Sequence, residues 1–414
     1  MVMAIDRDPQ LHEHEGKIAP LLSHAREQIE SPPGNDQIIA AFNMALVENS
    51  HTPHMKSVLE LAAFEDDPSY AINKLLRCFQ KQLLFRESTA DFEYPQAFMP
   101  SRPDLKDAAG MWNRAIEAII DDEESSSEVY EDFLVRQTQS NIVQRYSMLK
   151  MLMHLTADRF GDSLDVVDIG CSQNLGLKKI ALNRPFDAID IYKYVKGREK
   201  LADPETAEAL NFLLEQAVAF GKGTGIDIFN AETREVIEWA QACSFYPSEL
   251  LYQPGLLTEF SILEEKAVPN VGFIQADVTS ESIRNNRAVN RAKIIPEKAS
   301  ITFASTMLYM LSERERTEVY EVMELETAAN GIQAVLDFVR IDRNGKLVFS
   351  GPSGKKDQFA LIIKDNLNPR HNWQEIARIQ DGRVHCLRMS TGKIALHGRL
   401  ISPRDAVRKV AADF

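Results

Sequence analysis

The 414-residue sequence has little of what marks a secreted, membrane-bound or disulfide-linked protein. No apolar run reaches the ~18 residues that a spanning helix needs. The polar segment before Gly16 also lacks the apolar core of a secretory signal. The lack of a long apolar run predicts a protein without membrane partners. The cysteines are scattered and form no Cys-x-x-Cys pair, which predicts reduced thiols in a cytoplasmic protein. They are Cys78, Cys171, Cys243 and Cys386.

Metal ligands and positive charge are also scarce. The nine histidines contain no His-x-His or His-x-x-x-His pair beyond His12 and His14, so we expect no metal site. Lys and Arg total 47 against 61 Asp and Glu, which gives a net charge of −14. A surface of this sign repels phosphate backbones, so we expect no nucleic-acid partner. The oligomeric state stays open, with a homodimer as one alternative.

The composition is that of a globular protein, with 44% hydrophobic and 26% charged residues. The length favours two or three domains. The pattern along the chain predicts a disordered tail at 1–16, a helical N-terminal domain at 17–160 and a domain of alternating strands and helices at 161–414. The acidic run at 121–124, which three serines follow, is typical of a solvated linker.

The alternation after Gly161 predicts a Rossmann-like, doubly wound α/β fold, with a mostly parallel sheet covered by helices on both faces. Turn-separated runs near the end predict antiparallel strands at the sheet edge. The predicted parallel strands are 164–169, 186–192, 225–229, 271–276, 299–304 and 332–339, and the predicted antiparallel strands are 359–363, 384–389 and 393–400.

The strongest functional signal follows the first strand. Asp168 ends an apolar run, and Gly170 and Ser172 come next, before a helix. A glycine lets a ligand approach the backbone closely, and the start of a helix offers free N–H groups. A dinucleotide site needs Gly-x-Gly-x-x-Gly, but Ser172 and Leu175 stand at its later glycines. This disfavours a nicotinamide-dependent oxidoreductase, and the acid favours a cationic ligand such as S-adenosylmethionine.

The same residues resemble motif I of the class I S-adenosylmethionine-dependent methyltransferases, with Asn174 in place of the last glycine. The resemblance implies that Asp168, Gly170, Ser172 and Asn174 bind this cofactor. Asn tolerates a left-handed backbone better than most residues, which favours an intact turn.

Later strand ends resemble further parts of that superfamily. The resemblance implies that Asp277, with Val278 beside it, faces the adenine of the cofactor, and that Ser305 and Tyr309 lie toward cofactor and substrate. Asp277 is also a candidate cap for a helix after Thr279. Asp337 interrupts a strand that we expect to be buried, so it is either a catalytic base with a shifted pKa or a structural acid. Ser305, Tyr309 and Asp337 are therefore the catalytic candidates.

A nearer resemblance is to a bacterial family of unknown function with a methyltransferase-like fold. It covers most of 130–340 and depends on three stretches, at 136–145, 170–177 and 225–230. The family usually has Glu where Ile142 stands. The resemblance implies the fold and no particular reaction.

The polar block at 138–145 precedes the first strand. We expect its Asn141 and Arg145 to close over the methionine end of the cofactor, although Asn141 is also a candidate helix cap. Arg145 would pair with a carboxylate of the cofactor or substrate. The helical domain would then be a lid and part of the substrate pocket.

Two acids are candidates for binding the cofactor ribose. Asp190 lies 22 residues after Asp168, close to the spacing of ~20 residues expected in nucleotide-binding folds. Asp227 is favoured by strand counting, because an insertion at about 186–223 makes 225–229 the second strand of the sheet. The nearer family resemblance also favours Asp227.

The sequence therefore predicts a methyltransferase that uses S-adenosylmethionine and acts on a small molecule. The alternative is a non-catalytic methyltransferase-like binding or regulatory protein, favoured by the departure at Asn174 and by the lack of a clear catalytic base. The methyl acceptor, and whether O, N or C is methylated, stay open.

Overall fold

The computed structural model describes residues 11–33, 36–86, 104–136, 138, 142–161, 163–195, 198–201, 203–228, 234–252, 255–279, 298–350, 359–368, 370, 372–380 and 383–414. Its α-helices are α1 (Leu11–Glu30), α2 (Gln37–Glu48), α3 (Pro53–Ala62), α4 (Pro68–Phe85), α5 (Leu105–Asp121), α6 (Glu123–Val135), α7 (Tyr146–Phe160), α8 (Leu175–Ala181), α9 (Pro204–Glu215), α10 (Arg234–Ser244), α11 (Pro247–Tyr252), α12 (Gly255–Glu265), α13 (Glu313–Glu326) and α14 (Pro403–Ala412).

The strands are β1 (Leu164–Ile169), β2 (Asp190–Val195), β3 (Arg198–Leu201), β4 (Phe220–Asp227), β5 (Val271–Gln275), β6 (Ala299–Ser305), β7 (Thr327–Ile341), β8 (Leu347–Phe349), β9 (Phe359–Asp365), β10 (Trp373–Ile379), β11 (Cys386–Met389), β12 (Ile394–Leu396) and β13 (Arg399–Ile401). Two short 3-10 turns, Val143–Arg145 and Leu308–Met310, precede α7 and follow β6.

The chain divides into two compact units. The helical unit comprises residues 1–140 and 234–262, and the sheet unit comprises residues 141–233 and 263–414. Helix α7 therefore belongs to the sheet unit, although the sequence pattern places it with the N-terminal helices. Conversely, α10 and α11 belong to the helical unit, although the sequence pattern places them in the Rossmann-like domain.

Aspartate and threonine side chains start the helices of the helical unit. Each accepts hydrogen bonds from N–H groups of the first turn, which otherwise lack partners. The capping residues are Asp36, Thr52, Asp67, Asp104 and Asp122. The core of this unit packs Phe42 edge-on against Trp112, with the ring centroids 5.0 Å apart.

Two sequence predictions for this unit are wrong. Helix α1 begins at Leu11, so the predicted disordered tail at 1–16 is helical in its last part, while its first ten residues lie outside the described residues. The acidic run at 121–124 is no linker, because Asp121 ends α5 and Asp122 accepts from the N–H of Ser125 to start α6. A capping aspartate allows the two helices to meet almost directly.

The sheet unit confirms the predicted fold class, a doubly wound α/β fold. The strand order is β3-β2-β11-β10-β9-β7-β6-β1-β4-β5, and β8 pairs with β7. The five strands β5, β4, β1, β6 and β7 run parallel, and β9, β10 and β11 continue the sheet in antiparallel fashion. The side chains of β1 and β6 are buried almost without exception, which explains their continuous apolar sequences.

The predicted strand at 186–192 forms only from Asp190, as β2, and lies far from β1. Strand β2 pairs in parallel with β11, through Asp190 opposite Cys386, near the other end of the sheet. Ile189 and Ile191 pack in the same apolar cluster as Leu387 of β11. The chain between α8 and β4 is therefore an insertion relative to the parallel strands, as the strand-counting alternative predicts.

The antiparallel region differs from the prediction in two places. Strand β10 was missed, and it lies between β9 and β11. The predicted strand at 393–400 is two short strands, β12 and β13, which form a separate hairpin. His397 and Gly398 at its turn have φ angles of 55° and 72°, so the chain reverses where the sequence pattern continues. None of the helices in the described part of the chain is long and apolar enough to span a membrane.

Candidate functional site

The candidate site lies where β1, β4 and β6 end. Ile169, the last residue of β1, pairs with Ile226 of β4 on one side and Ala304 of β6 on the other. Apart from the insertion that carries β2 and β3, the chain continues from β1 to β4 and β5 on one side and returns to the opposite side at β6. Such a reversal of strand order opens a crevice at the carboxyl ends of the strands, and ligands of doubly wound sheets bind there.

The turn after β1 is built from left-handed residues. Gly170, Ser172 and Asn174 have φ angles of 73°, 50° and 57°. The N–H of Gly170 donates to the carbonyl of Ile226 at 2.8 Å, which extends the pairing of β1 with β4 past the strand. The N–H of Ser172 donates to Oδ2 of Asp227 at 2.6 Å. The turn is therefore held by main-chain and side-chain bonds to β4.

Asn174, the departure from the methyltransferase glycine pattern, fits this turn. Its left-handed conformation is one that Asn tolerates. Its Nδ2 donates to the carbonyl of Gly272 in β5 at 2.9 Å. A Cβ atom on Gly225 would lie 2.6 Å from Cγ of Asn174, so this glycine leaves the space that the amide occupies. The turn survives because the asparagine links it to β4 and β5.

Asp168 is fully buried next to the turn. Its Oδ2 accepts a hydrogen bond from the hydroxyl of Tyr146, and its Oδ1 has no partner among the described residues. Burial raises the pKa of Asp168 to about 8; the Tyr146 hydrogen bond acts in the opposite direction, and the charge of Asp227 adds to the rise. A buried carboxyl with one idle oxygen can accept a further hydrogen bond or a positive charge.

Tyr146, which the sequence analysis missed, holds this carboxyl from the start of α7. Its ring packs edge-to-face on Phe303 of β6, with centroids 5.6 Å apart. On the other side, a Cβ atom at Gly176 of α8 would overlap the ring. Burial also raises the pKa of the Tyr146 hydroxyl well above its ordinary value, so it stays a donor at neutral pH. The glycine inside α8 was the only local signal of this contact.

Met307 covers Gly170 from the loop after β6. A Cβ atom at Gly170 would overlap the sulfur of Met307, so the thioether touches the bare face of the glycine. Gly170 therefore permits a close approach to its main chain, and a side chain of the protein, Met307, makes that approach here. A ligand at the same place requires another rotamer of Met307, which is an unbranched and adaptable side chain.

The two ribose candidates lie far apart. Asp227 ends β4, next to β1, and binds the turn through Ser172. Asp190 is exposed on β2, which pairs with β11 and not with β1 or β4. Strand order therefore brings Asp227, and not Asp190, to the carboxyl end of β1. The spacing argument does not allow for the insertion, which takes β2 to the other end of the strand order.

Asp277 and Val278 follow β5, at the edge of the crevice. Oδ1 of Asp277 accepts from the N–H and the hydroxyl of Thr279, at 2.9 and 2.7 Å, and so closes a local turn. Val278 is buried in the same apolar cluster as Val167 and Ile226. Both bonds are local, and the segment that Asp277 would cap as the start of a helix lies outside the described residues.

Arg145 lies beside the loop after β6. It is buried, donates from Nη1 to the hydroxyl of Thr306 at 2.5 Å, and lies 5.5 Å over the ring of Phe359. Ser305, the last residue of β6, is buried and approaches the hydroxyl of Thr306 at 3.5 Å. Asn141, predicted to act with Arg145, lies outside the described residues.

Asp337 is fully buried and occupied by main-chain donors. Its Oδ2 accepts from the N–H groups of Leu308 and Tyr309, at 2.8 and 3.3 Å, and its Oδ1 accepts from that of Phe338 at 2.7 Å. Burial raises its pKa to about 7, although these bonds and the charge of Arg145 act to lower it. This geometry favours the structural alternative, in which Asp337 holds the loop that carries Tyr309.

Tyr309 stacks edge-to-face on Phe338, with centroids 5.2 Å apart.

Within the part of the chain that the structure describes, no group of His, Cys, Asp and Glu is arranged to hold a metal ion. The residues that the structure brings together are thus the turn after β1, Asp168, Asp227 and the loop after β6.

The comparisons with known proteins add little at the level of sequence. No family model and no curated protein matches the chain. Among solved structures, it is similar to the plantazolicin methyltransferase BamL, a complex with a triazolic desmethylPZN analog and SAH, at 13% identity and a TM-score of 0.25. It is also similar to an O-methyltransferase family protein from Burkholderia thailandensis, at 11% identity and a TM-score of 0.24.

These alignments are partial. They cover 55% of this chain and 56% of BamL, and 57% of this chain and 47% of the Burkholderia protein. The chain thus spans about half the length of both proteins. Likenesses at this TM-score carry no inference about function, so the function proposed next rests on the geometry of this chain.

Proposed function

We propose that the sheet unit binds S-adenosylmethionine at the carboxyl ends of β1 and β4, and that the protein transfers its methyl group to a small molecule. The observation that carries this proposal is Asp168, a fully buried carboxyl with one unpartnered oxygen next to a left-handed turn. That turn lies at the reversal of strand order, where this fold binds its ligands.

The charges at the site favour this cofactor over a dinucleotide. Asp168 and Asp227 both carry carboxyl groups, and the charge of Asp227 acts on Asp168. Ionised carboxyl groups repel a pyrophosphate, whereas the ammonium group of an amino acid favours ionisation of Asp168 and pairs with it. The idle oxygen of Asp168 suits such a cation. Asp227, at the end of the neighbouring strand, is the group that we propose for the ribose hydroxyls.

The remaining candidates have the following proposed roles. Val278 contributes apolar contact for the adenine, and the loop with Ser305 and Tyr309 faces the methyl acceptor. Arg145 donates to Thr306 of that loop, and its proposed role is to pair with a carboxylate of the cofactor or acceptor.

The chemistry asks little covalent work of the chain. When bound, the sulfonium of the cofactor supplies an activated methyl group for in-line transfer. The protein then has to place the acceptor atom behind that methyl group and to keep water away. Side chains that bind and orient are sufficient for this task, and the site consists of such side chains.

A second candidate function is binding without catalysis. Both oxygens of Asp337 accept hydrogen bonds from main-chain N–H groups, so this candidate base is already engaged. A chain that binds the cofactor but methylates nothing would be a regulatory or carrier protein.

Calorimetric titration of the full chain tests the proposal. We expect S-adenosylmethionine and S-adenosylhomocysteine to bind with micromolar affinity and NAD to show no heat of binding. Binding of NAD alone, or of none of the three, would overturn the proposed function. Where the cofactor binds, incubation with its tritiated-methyl form and a panel of small nucleophiles separates the enzyme from the binding protein.

A further inference from the structure

We propose that Tyr146 is a positioning residue, which fixes one oxygen of Asp168 so that the other accepts a hydrogen bond from the ammonium group of the ligand's amino-acid part. This inference rests on the proposed function, which already places the ammonium group at Asp168, and adds the residue that orients the carboxyl. Neither the motif after β1 nor the comparisons point to Tyr146.

The ring of Tyr146 is held rigidly by its neighbours. Its ring lies between Phe303 of β6 and the main chain of Gly176 in α8, where no side chain fits. Tyr146 is the first residue of α7, and the preceding Arg145 is fixed to Thr306. A ring enclosed in this way has one position, so its hydroxyl has one direction. The hydroxyl therefore holds Oδ2 of Asp168 in place.

Among the described residues, no cation of the chain acts on the buried carboxyl of Asp168. The groups that act on its carboxyl are Tyr146 from α7 and Asp227 from β4, and Cys171 of the turn is affected by it in return. None of these groups is a cation. A fully buried carboxylate normally has a positive partner or several donors, and here it has one hydroxyl. A ligand ammonium group supplies the missing donors.

The protonation state of Asp168 should make ligand affinity depend on pH. Burial raises the pKa of Asp168 to about 8 in the ligand-free chain. The carboxyl is then largely protonated at pH 7, and binding an ammonium group requires it to lose the proton. Affinity for an amino-acid-bearing ligand should rise with pH up to about 8 and level off above it.

The experiment compares two ligands with the full chain. S-adenosylhomocysteine carries the ammonium group, and 5′-methylthioadenosine has the same thioether nucleoside without the amino-acid part. In Tyr146→Phe the ring remains and only the hydroxyl is lost. We expect the Kd of S-adenosylhomocysteine to rise about tenfold, as for one hydrogen bond to a charged group. The Kd of 5′-methylthioadenosine should change less than about twofold.

Two further measurements complete the test. In Tyr130→Phe, which loses a hydroxyl contact to Ser57 in the helical unit, both affinities should stay unchanged. For the unaltered chain, we expect the affinity for S-adenosylhomocysteine to rise about tenfold per pH unit between pH 6 and 7, and that for 5′-methylthioadenosine to stay flat. In Asp168→Asn this difference between the ligands should disappear.

The outcomes separate the two levels of the proposal. If the unaltered chain binds neither ligand, the proposed function fails. If it binds both and Tyr146→Phe weakens them equally or leaves both unchanged, the positioning role is wrong and the proposed function stands. If Tyr146→Phe does not fold, the pH series decides, because a constant ratio of the two affinities from pH 6 to 9 excludes the ammonium contact.

Discussion

The main-chain N–H of Ser172 donates a hydrogen bond of 2.6 Å to Oδ2 of Asp227, and this bond joins the turn after β1 to the end of β4. Ser172 has a φ of 50°, a conformation that costs a non-glycine residue free energy. The charged acceptor offsets that cost, since hydrogen bonds to a carboxylate are stronger than those between neutral groups. Asp227 thus shapes the turn as well as ending the neighbouring strand.

Replacing Asp227 should weaken cofactor binding. We expect Asp227→Ala to raise the Kd of S-adenosylhomocysteine about tenfold or more, because it removes charge-assisted bonds worth about 1.5–3 kcal/mol each. Asp190→Ala is the matched control, since this exposed acid lies on β2, away from the site. In this variant the Kd of S-adenosylhomocysteine should stay within about twofold of that of the unaltered chain. Calorimetric titration checks both. The opposite pattern would show that sequence spacing identifies the ribose acid better than strand order.

The central sheet was accessible from the sequence because its strands are buried on both faces. A strand such as β1 shows a continuous apolar run that ends in Asp168 and a glycine, and this pattern is local. The sequence pattern does not reveal β10 because four of its seven residues are only partly buried, so its apolar run is broken. The placement of β2 against β11 depends on pairing across almost 200 residues, which no local pattern encodes.

The residues of the site divide in the same way, into those that a local sequence pattern predicts and those that depend on packing between distant segments. Asp168, Gly170 and the turn follow one another in the chain, so a motif predicts them. Tyr146 reaches Asp168 only because α7 packs across the bare face of α8 at Gly176. A glycine inside a helix signals such a packing requirement but does not name the partner.

Asp168 should make the ligand-free protein less stable as pH rises. Its pKa is raised from 3.8 to about 8 in the folded state, so between these values the folded chain holds a proton that the unfolded chain releases. The free energy of unfolding must therefore fall with rising pH in this window, by up to about 1.4 kcal/mol per pH unit, and level off above pH 8.

Asp168→Asn isolates this effect, because the amide oxygen still accepts from Tyr146 but does not ionise. We expect the variant to gain stability relative to the unaltered chain as pH rises from 5 to 8, measured by urea denaturation without ligand. A difference that is independent of pH would mean that Asp168 is already ionised at pH 5.

Gly170 should tolerate no side chain, for two separable reasons. Its φ of 73° strains any other residue by about 1–2 kcal/mol, and a Cβ atom there meets Met307. Gly398, in the turn between β12 and β13, has a φ of 72° with no atom within 4 Å of its Cβ position, so Gly398→Ala measures the strain alone. We expect Gly170→Ala to cost more stability than Gly398→Ala.

The excess should vanish when Met307 is shortened. In a Met307→Ala background, Gly170→Ala should cost about the same as Gly398→Ala, because only the strain remains. Urea denaturation of the four variants checks this. An excess that persists without the Met307 side chain would place another group against Gly170.

The last prediction concerns Gly176, where helix propensity and packing act in opposite directions. Gly176 lies in α8, and alanine is favoured over glycine inside a helix by about 1 kcal/mol. A Cβ atom at this position, however, would overlap the ring of Tyr146, which is itself backed by Phe303. Overpacking of this kind costs about 1–3 kcal/mol. We therefore expect Gly176→Ala to destabilise the sheet unit.

Gly110 in α5 is the matched control. Its Cβ position has only the guanidinium of Arg114 nearby, at 3.8 Å, so Gly110→Ala should follow propensity and stabilise the helical unit. Differential scanning calorimetry, which follows the unfolding transitions, shows whether each substitution raises or lowers stability. Because the displaced ring carries the hydroxyl that holds Asp168, Gly176→Ala should also weaken binding of S-adenosylhomocysteine, whereas Gly110→Ala should not. A stabilising Gly176→Ala would mean that the ring of Tyr146 moves freely, and the hydrogen bond to Asp168 would then be too mobile to position the carboxyl.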